Sequence, residues 1–352
     1  MTEQPARRAR GAVGFAVVGA GLVGPRHAEY ATLAEGAALR VVCDLREDRG
    51  RALADRFGAA WMADYHEAIR RDDVAVVSVC LPTALHLEVA TAAAEAGKHV
   101  VVEKPIELNV ARARQLIEVC RRNGVKLATI FNRRFVYGTR RTREAVQGGD
   151  LGRLLVADMR FKAWRPASYY SESGWRGTWD KEGGAALINQ GIHGVDLLTW
   201  IAGPIKRVSG HARHLRHQIE ADDTTVAVCE YESGALGVIE CTTSVTPRQG
   251  DWLEFHGERG SVLVENYKIA SWQLEDVPVG EPHPEDLLLP GAGGVDTGHF
   301  LQVQDMADAV REGRDPVIRG EDALHALAVV QAIYESERRA GPVDVAEILD
   351  AR

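Results

Sequence analysis

Three glycines with a fixed spacing mark a turn that can hold a phosphate chain. Gly19, Gly21 and Gly24 fit the pattern G-x-G-x-x-G, and the apolar run Val13–Val18 directly precedes them. In such a turn the first glycine permits the tight bend, the second lets the backbone approach a pyrophosphate, and the third lets the helix pack against the strand. Free N–H groups at the start of that helix can bind the phosphates. The spacing predicts a dinucleotide-binding turn.

An acidic residue further along indicates which dinucleotide binds. Asp44 lies twenty residues after Gly24, at the end of the second predicted strand. A carboxylate at this place accepts hydrogen bonds from the adenine-ribose hydroxyls and repels a 2′-phosphate, which favours NAD over NADP. Arg46 follows two residues later and keeps NADP open as an alternative.

The segments around this turn alternate between strand and helix patterns. Strands are predicted at Val13–Val18, Leu39–Cys43, Val74–Val79, Val100–Val102 and Lys126–Ile130. Helices are predicted at Pro25–Glu35, Asp48–Phe57, Asp64–Ile69, Leu87–Ala96 and Val110–Asn123. This alternation predicts an α/β Rossmann dinucleotide-binding domain, with a parallel sheet between two layers of helices, over residues 12–131.

After residue 132 the pattern changes to successive strands. They are predicted at Leu154–Lys162, Arg207–Ala212, Thr224–Tyr231, Ala235–Thr243, Trp252–His256 and Ser261–Glu265. One helix, Ala185–Trp200, interrupts them, and the Pro/Gly-rich Val277–Gly294 predicts a long loop before helices at Asp305–Glu312 and Ala323–Arg339. We therefore expect an α+β second domain with a largely antiparallel, open-faced sheet over 132–320, closed by a C-terminal helix and tail over 321–352.

Four further motifs occupy defined places in this scheme. They are Cys80-Leu81-Pro82-Thr83 with His86 after the third strand, Glu103-Lys104-Pro105 after the fourth, Asn132-Arg133-Arg134-Phe135 at the start of the second domain, and the run from Gly183-Gly184 to His193 and Asp196. Together with the glycine turn they resemble the Gfo/Idh/MocA oxidoreductase family, which includes glucose–fructose oxidoreductase and inositol dehydrogenase. The resemblance covers residues 14–345.

The resemblance implies an NAD-dependent oxidoreductase that acts on a sugar, cyclitol or sugar derivative and forms a homodimer or homotetramer. It implies that Lys104 contacts both the cofactor and the reacting hydroxyl, and that His193 transfers the proton. The cofactor-binding residues expected from the turn and the motifs are Gly19, Gly21, Leu22, Val23, Gly24, Asp44, Leu81, Pro82, His86, Glu103, Lys104 and Asn132. The expected substrate-binding residues are Lys104, Trp175, Arg176, Asn189 and His193.

Oxidation of a secondary alcohol needs a hydride acceptor and a base. The nicotinamide accepts the hydride, and a histidine such as His193 titrates near neutral pH, as a base must. Lys104 acts either as a base that burial makes less basic or as a positive donor to the alkoxide. The family often has Asp four residues before this His, but here the residue is Asn189. Either Asn189 binds the substrate and leaves the proton to His193 and Lys104, or proton transfer is impaired; the first is favoured.

An α-helix over this segment would place Asn189, His193 and Asp196 on one face, in a row that suggests a lined pocket. We expect Asp196 to be mainly structural, paired with an arginine or a backbone group. No metal site is expected, because His193 and Asp196 have no evident third and fourth ligand.

Aromatic residues surround Arg176 just before this helix. Tyr169, Tyr170, Trp175 and Trp179 can stack on a sugar, and Arg176 can grip hydroxyls or an anion, or the segment can simply be a loop packed by aromatic rings. Of the pair Arg133 and Arg134, one is expected to face the substrate and the other to be solvated.

Composition excludes several other classes of protein. The formal net charge of −8 over 352 residues argues against nucleic acid or an anionic membrane as the main partner. Five scattered cysteines without a C-x-x-C pair indicate free thiols, as expected in the reducing cytoplasm. Arg7-Arg8 before an apolar stretch only loosely resembles a twin-arginine export signal, so a cytoplasmic location is expected.

Two other functions stay open. One is an enzyme that recycles a tightly bound NAD, through sugar–sugar oxidoreduction or redox-neutral glycoside cleavage. The other is a non-catalytic, dinucleotide-binding regulator. The alternating residues Val226, Val228, Val238 and Ile239 are consistent with a sheet face that packs against a second copy.

Overall fold

The computed structural model describes residues 11–281 and 295–351. Contacts divide the described chain into two compact units, and one division between them falls after Ile130. Within the described chain, the first unit contains residues 11–107, Arg112–Ile130 and His299–Asp322. The second unit contains Leu108–Ala111, the chain from Phe131 to Gly298, and the chain from Ala323 onward. The predicted second domain differs from this division, because His299–Asp322 packs within the first unit, where Gln302 donates a hydrogen bond to the Thr129 carbonyl at 2.5 Å.

The first unit contains a parallel sheet of six strands, which confirms the predicted Rossmann architecture. The strands are β1 (Val13–Val18), β2 (Ala37–Cys43), β3 (Ala60–Met62), β4 (Val76–Val79), β5 (His99–Val102) and β6 (Leu127–Thr129), in the order β3-β2-β1-β4-β5-β6. The central strands β1 and β4 are buried along their whole length, as expected for strands covered on both faces. Strand β3 was not predicted, because three half-buried residues carry no readable periodicity.

The α-helices are listed here in chain order. They are α1 (Gly24–Leu33), α2 (Glu47–Phe57), α3 (Tyr65–Ile69), α4 (His86–Glu95), α5 (Val110–Arg122), α6 (Tyr137–Gln147), α7 (Ala167–Ser171), α8 (Ile192–Ala202), α9 (Val295–Glu312), α10 (Leu324–Arg339) and α11 (Val345–Asp350). Within the described part of the chain, no helix has both the length and the hydropathy that crossing a membrane requires. All five cysteines are buried free thiols, as the sequence indicated.

The second unit contains an eight-stranded sheet that is antiparallel except between β7 and β10. The strands are β7 (Leu154–Lys162), β8 (Ile205–Arg213), β9 (Thr224–Tyr231), β10 (Leu236–Thr242), β11 (Gly250–Gly257), β12 (Gly260–Glu265), β13 (Lys268–Leu274) and β14 (Val343–Asp344). Their order is β13-β12-β11-β7-β10-β9-β8-β14. This confirms the predicted α+β domain with a largely antiparallel sheet.

Alternation along β9 and β10 leaves one side of the sheet exposed. Val226, Val228, Leu236 and Val238 are between 38% and 60% exposed. Ile239 was predicted to share this face but is fully buried, because successive residues of a strand point to opposite sides.

Several helical regions differ from the sequence expectation, and the short helices α7 and α11 were not predicted. The helix predicted at Ala185–Trp200 is a π-helix over Ala186–Gly191 followed by α8, and α9 begins ten residues before the predicted Asp305. Helix α6 was not predicted at all. Of the predicted loop Val277–Gly294, residues 282–294 lie outside the described residues.

Candidate functional site

The glycine turn between β1 and α1 has two glycines that the fold itself requires and one that it does not. Gly19 has φ +103°, and a Cβ there would lie 2.4 Å from the Cys80 carbonyl oxygen. A Cβ at Gly24 would lie 2.0 Å from the Gly19 carbonyl oxygen. A Cβ at Gly21 would meet no atom within 4 Å. The space above Gly21 is therefore open, as expected where a pyrophosphate approaches the backbone.

The start of α1 has no side-chain cap. Its cap residue, Val23, makes no side-chain capping hydrogen bond, and Pro25 occupies the first turn. The neighbouring Leu22 is 77% exposed. An uncapped helix start with its positive dipole end is suited to a phosphate anion.

Asp44 connects the end of β2 to the glycine turn. Its carboxylate is almost fully buried and accepts hydrogen bonds from Ala20 N at 2.7 Å and Arg46 N at 2.8 Å. Arg49 Nε lies 2.8 Å from Oδ1, the oxygen that Arg46 also uses. Oδ2 has one of these donors, Ala20 N, so it retains capacity for a hydroxyl donor. The Asp44 carboxylate is thus a hydrogen-bond acceptor that backbone N–H groups hold beside the turn, rather than a solvated acid.

Glu103 and Lys104 follow β5. Oε2 of the buried Glu103 accepts the Lys104 N–H at 3.1 Å, and Lys104 itself is half-buried. Burial alone would raise the pKa of Glu103, but its contacts with the imidazole rings of His27 and His299 hold that pKa below its usual value. Burial and the neighbouring His27 lower the pKa of His299. His27 and His299 were not singled out from the sequence.

His86 holds two loops of the first unit together. Its ring is buried, with Nε2 at 3.0 Å from the Leu81 carbonyl and Nδ1 at 3.1 Å from the Pro105 carbonyl. Burial lowers the pKa of His86. Because both ring nitrogens contact backbone oxygens, His86 positions the segments of Leu81-Pro82 and Lys104-Pro105. Its contact with the cofactor stays a prediction.

The second unit carries His193 and Asn189. His193 lies on α8, is 8% exposed, and meets the Phe131 ring edge-on at a centroid distance of 6.3 Å. Asn189 lies in the preceding π-helix, a wide turn often found at functional sites. Asn132, predicted to bind the cofactor, is buried at the start of this unit.

Glu182 contacts a predicted site residue and was not singled out from the sequence. It is 1% exposed, accepts the Gly177 N–H at 2.5 Å, and accepts a short hydrogen bond from Asn189 Nδ2. The Asn189 Oδ1 atom in turn accepts from Gln190 at 2.7 Å. A carboxylate therefore lies next to the residue that replaces the family's common Asp. The available signal was an acid directly before Gly183-Gly184.

Asp196 has the structural role that was expected. It forms a buried, two-point ion pair with Arg134, with distances of 2.9 Å to Nε and 2.5 Å to the terminal nitrogen. The expectation that one of the two arginines is solvated is wrong, because Arg133 is also enclosed, with its guanidinium 4.2 Å from the Tyr267 ring centroid. Burial lowers the pKa of Arg133 to about 10.

The row of Asn189, His193 and Asp196 does not form one polar stripe. The π-helix changes the rotation between Asn189 and His193, and each side chain has different neighbours. The prediction of a common lined pocket is therefore wrong for Asp196, because its carboxylate forms an ion pair with Arg134.

Arg176 is stacked between two aromatic rings. Its guanidinium carbon lies 4.3 Å from the Tyr169 centroid and 4.8 Å from the Trp175 centroid. Its NH1 also donates to the Tyr169 carbonyl at 3.3 Å. The aromatic packing of this loop is therefore evident, and substrate binding by Trp175 and Arg176 stays a prediction.

The fold and the glycine turn define an NAD-binding oxidoreductase, and comparison with family models agrees. A model of the oxidoreductase family with an NAD-binding Rossmann fold matches residues 13–131, and a model of the GFO/IDH/MocA C-terminal domain matches residues 139–263. The chain belongs to the GFO/IDH/MocA family, as its motifs suggested.

Similar proteins extend over most of the chain. Myo-inositol 2-dehydrogenase of Thermotoga maritima is 29% identical over 95% of this chain and 98% of its own length. D-glucoside 3-dehydrogenase of Escherichia coli is 35% identical over 60% of this chain and 59% of its own. The crystal structure of the WlbA dehydrogenase from Bordetella pertussis, in complex with NADH and UDP-GlcNAcA, has a TM-score of 0.84 at 28% identity and covers 95% of this chain and 98% of that one.

Proposed function

We propose that this protein oxidises a secondary hydroxyl of a sugar, cyclitol or sugar derivative with NAD, and that Lys104 and His193 manage the proton. The observation that carries the proposal is the open backbone at Gly21 beside the buried Asp44, on a chain that also retains the family's lysine and histidine. The inositol and glucoside dehydrogenases similar to this chain support the substrate class.

NAD would lie against the turn of Gly19, Gly21 and Gly24, with its adenine ribose at Asp44. When bound, it supplies the hydride acceptor. Lys104, as a cation held by the backbone hydrogen bond to Glu103, stabilises the negative charge that develops on the substrate oxygen. His193 takes the proton from that hydroxyl.

Asn189 is proposed to bind the substrate rather than to transfer a proton. One hydrogen of its NH2 group is used by Glu182, and its carbonyl oxygen accepts from Gln190. An amide side chain offers both a donor and an acceptor to a sugar hydroxyl, whereas it carries no proton that a base could exchange near neutral pH. Glu182 places a carboxyl group one hydrogen bond behind the position where the family often has an aspartate.

The direct test measures reduced-cofactor formation with a panel of inositols, glucosides, uronic acids and sugar nucleotides, each offered with NAD and with NADP. We expect turnover with NAD. Lys104→Ala and His193→Ala should each lower kcat/KM by about 10²–10⁴-fold, the usual contribution of a positioned acid or base. Lys268→Ala, at an exposed lysine, and His256→Gln, at a half-buried histidine, serve as matched controls and should leave kcat/KM unchanged.

Each contrary result favours a particular alternative. Full turnover by Lys104→Ala would refute the proposed role of the lysine. Reduced cofactor that forms but stays bound to the protein would favour recycled NAD. Binding of NAD without turnover of any compound in the panel would favour a regulator.

The exposed face formed by Val226, Val228, Leu236 and Val238 is proposed to pack against a second copy of the chain. An exposed row of branched apolar residues on one sheet face is the kind of surface that an isologous dimer buries. Val228→Glu should shift the mass measured by sedimentation velocity from dimer or tetramer toward monomer. Val317→Glu, at a 65% exposed valine of the first unit, is the control. A wild-type monomer at micromolar concentration would contradict the assembly.

A further inference from the structure

Three buried side chains of the first unit bring their ligand atoms together. His27 lies on α1, Glu103 follows β5, and His299 lies on α9. His27 Nε2 is 3.0 Å from Glu103 Oε1 and 3.0 Å from His299 Nε2, and His299 Nε2 is 3.6 Å from the same Oε1. All three side chains are at most 8% exposed. We refer to these residues as the His–Glu triad.

No placement of hydrogens gives a good hydrogen bond at all three contacts of the His–Glu triad. An imidazole nitrogen carries either one hydrogen or one lone pair, so His27 Nε2 cannot form straight hydrogen bonds to both neighbours. If His27 shares its hydrogen, both bonds are bent and the His299 lone pair faces the carboxylate. If only His299 carries the hydrogen, the His27 lone pair faces Glu103 Oε1 at 3.0 Å, and if both rings carry one, two N–H groups face each other at 3.0 Å.

Each of these arrangements leaves a repulsive or strained contact in a buried place, where water cannot screen it. A cation between the three atoms removes the conflict, because both lone pairs and the carboxylate oxygen then point at positive charge. The contacts therefore favour a positive ion at the centre of the His–Glu triad.

The distances suit a small divalent ion. Tetrahedral zinc with bonds of about 2.0–2.1 Å holds its ligand atoms about 3.3 Å apart, and the triad's separations of 3.0, 3.0 and 3.6 Å lie on both sides of that value. Two imidazoles and one carboxylate are a common ligand set for zinc. We propose that the His–Glu triad binds one zinc ion or a closely similar divalent transition-metal ion, with water as the fourth ligand.

The surroundings of Glu103 fit a ligating carboxylate. Its second oxygen, Oε2, accepts the Lys104 N–H at 3.1 Å, and such outer hydrogen bonds orient metal-binding carboxylates. The ion would connect α1, the segment after β5 and α9. Because the His–Glu triad is buried, its role is structural: it would hold the backbone at Lys104 in place, and it would not contact a substrate.

The test measures metal content. Untagged protein, purified without a metal-affinity step, is incubated with zinc, desalted and analysed by inductively coupled plasma mass spectrometry. We expect about one zinc per chain, and below about 0.1 per chain in His27→Gln and His299→Gln, since each variant removes one of three protein ligands. His217→Gln, which removes a buried histidine of the second unit, is the matched control and should keep about one zinc per chain.

A second measurement uses only the wild-type protein, so it does not require that any variant folds. Anomalous diffraction at the zinc edge from wild-type crystals should show one peak within about 2.0–2.2 Å of the three ligand atoms. Zinc below about 0.1 per chain in the wild type, equal zinc in His299→Gln and the wild type, or an anomalous peak elsewhere would each overturn the proposal.

Discussion

Substituting Gly21 and Gly24 by alanine should separate a glycine required by the ligand from one required by the fold. A Cβ at Gly21 meets nothing within 4 Å, and the residue is not in the positive-φ region. A Cβ at Gly24 would lie 2.0 Å from the Gly19 carbonyl oxygen, a backbone atom that cannot rotate away. The two substitutions add the same methyl group to the same turn, so each is the control for the other.

The expected magnitudes follow from these distances. Gly21→Ala should leave the free protein unchanged or stabilise it by about 0.4–1 kcal/mol, because alanine restricts the unfolded chain. It should weaken NAD binding, because a methyl group there displaces the pyrophosphate. Loss of one hydrogen bond to a charged group costs about 1.5–3 kcal/mol, which corresponds to about a 10- to 150-fold higher Kd. Gly24→Ala should destabilise the protein by about 1–3 kcal/mol through overpacking.

Isothermal titration with NADH and thermal unfolding of the free proteins measure both effects. If folded Gly21→Ala binds NADH within about twofold of the wild type, a change of under about 0.5 kcal/mol, the ligand does not require a glycine at this position. If Gly21→Ala lowers Tm as much as Gly24→Ala does, the fold requires both glycines, and the proposed distinction between them is wrong.

Three further predictions concern buried carboxylates. Asp44→Asn keeps an acceptor but removes the charge that repels a 2′-phosphate, so the ratio of kcat/KM for NAD to that for NADP should fall by about tenfold or more; an unchanged ratio would contradict the role of Asp44. Asp196→Asn leaves the buried Arg134 without its counter-charge and should cost about 3–5 kcal/mol in chemical unfolding, whereas a loss below about 1 kcal/mol would show a solvated pair. The pKa of Asp223 is lowered because hydrogen bonds from the His217, Leu215 and Arg216 N–H groups outweigh burial. The ionised Asp223 carboxylate therefore stabilises the fold above its unfolded pKa, about 3.9, and this stabilisation is lost as pH falls through the folded pKa. The difference in free energy of unfolding between the wild type and Asp223→Asn should be widest near neutral pH and should narrow below about pH 4.

The parts of the fold that were predicted correctly are those with local signals. Three strands were predicted with the bounds that the structure shows, because each is a run of strand-forming residues that follows turn residues: Val13–Val18, Leu154–Lys162 and Thr224–Tyr231. The glycine turn was readable for the same reason, since its backbone geometry depends on neighbouring residues. The early start of α9 at Val295 was missed, because Pro/Gly-rich sequence precedes it without a clear periodic pattern.

The site was predicted where a motif names its residues and missed where contacts do. Lys104 and His193 stand in recognisable motifs, although their proton chemistry stays a prediction. Glu182 has no motif, and its contact with Asn189 depends on how the chain folds around Gly183-Gly184 and into the π-helix. The two arginines Arg133 and Arg134 look equivalent in sequence, and packing alone gives them different acidic partners.

The sequence by itself determined the Rossmann alternation, the dinucleotide turn, the preference for NAD expected from Asp44, and membership in an oxidoreductase family. These follow from short-range periodicity and from backbone positions that only particular residues can occupy. Tertiary structure alone decided that His299–Asp322 returns to the first unit and that His27, Glu103 and His299 converge. His27 and Glu103 are 76 residues apart and His27 and His299 are 272 apart. No local pattern brings such residues together; packing of helices against a common sheet does.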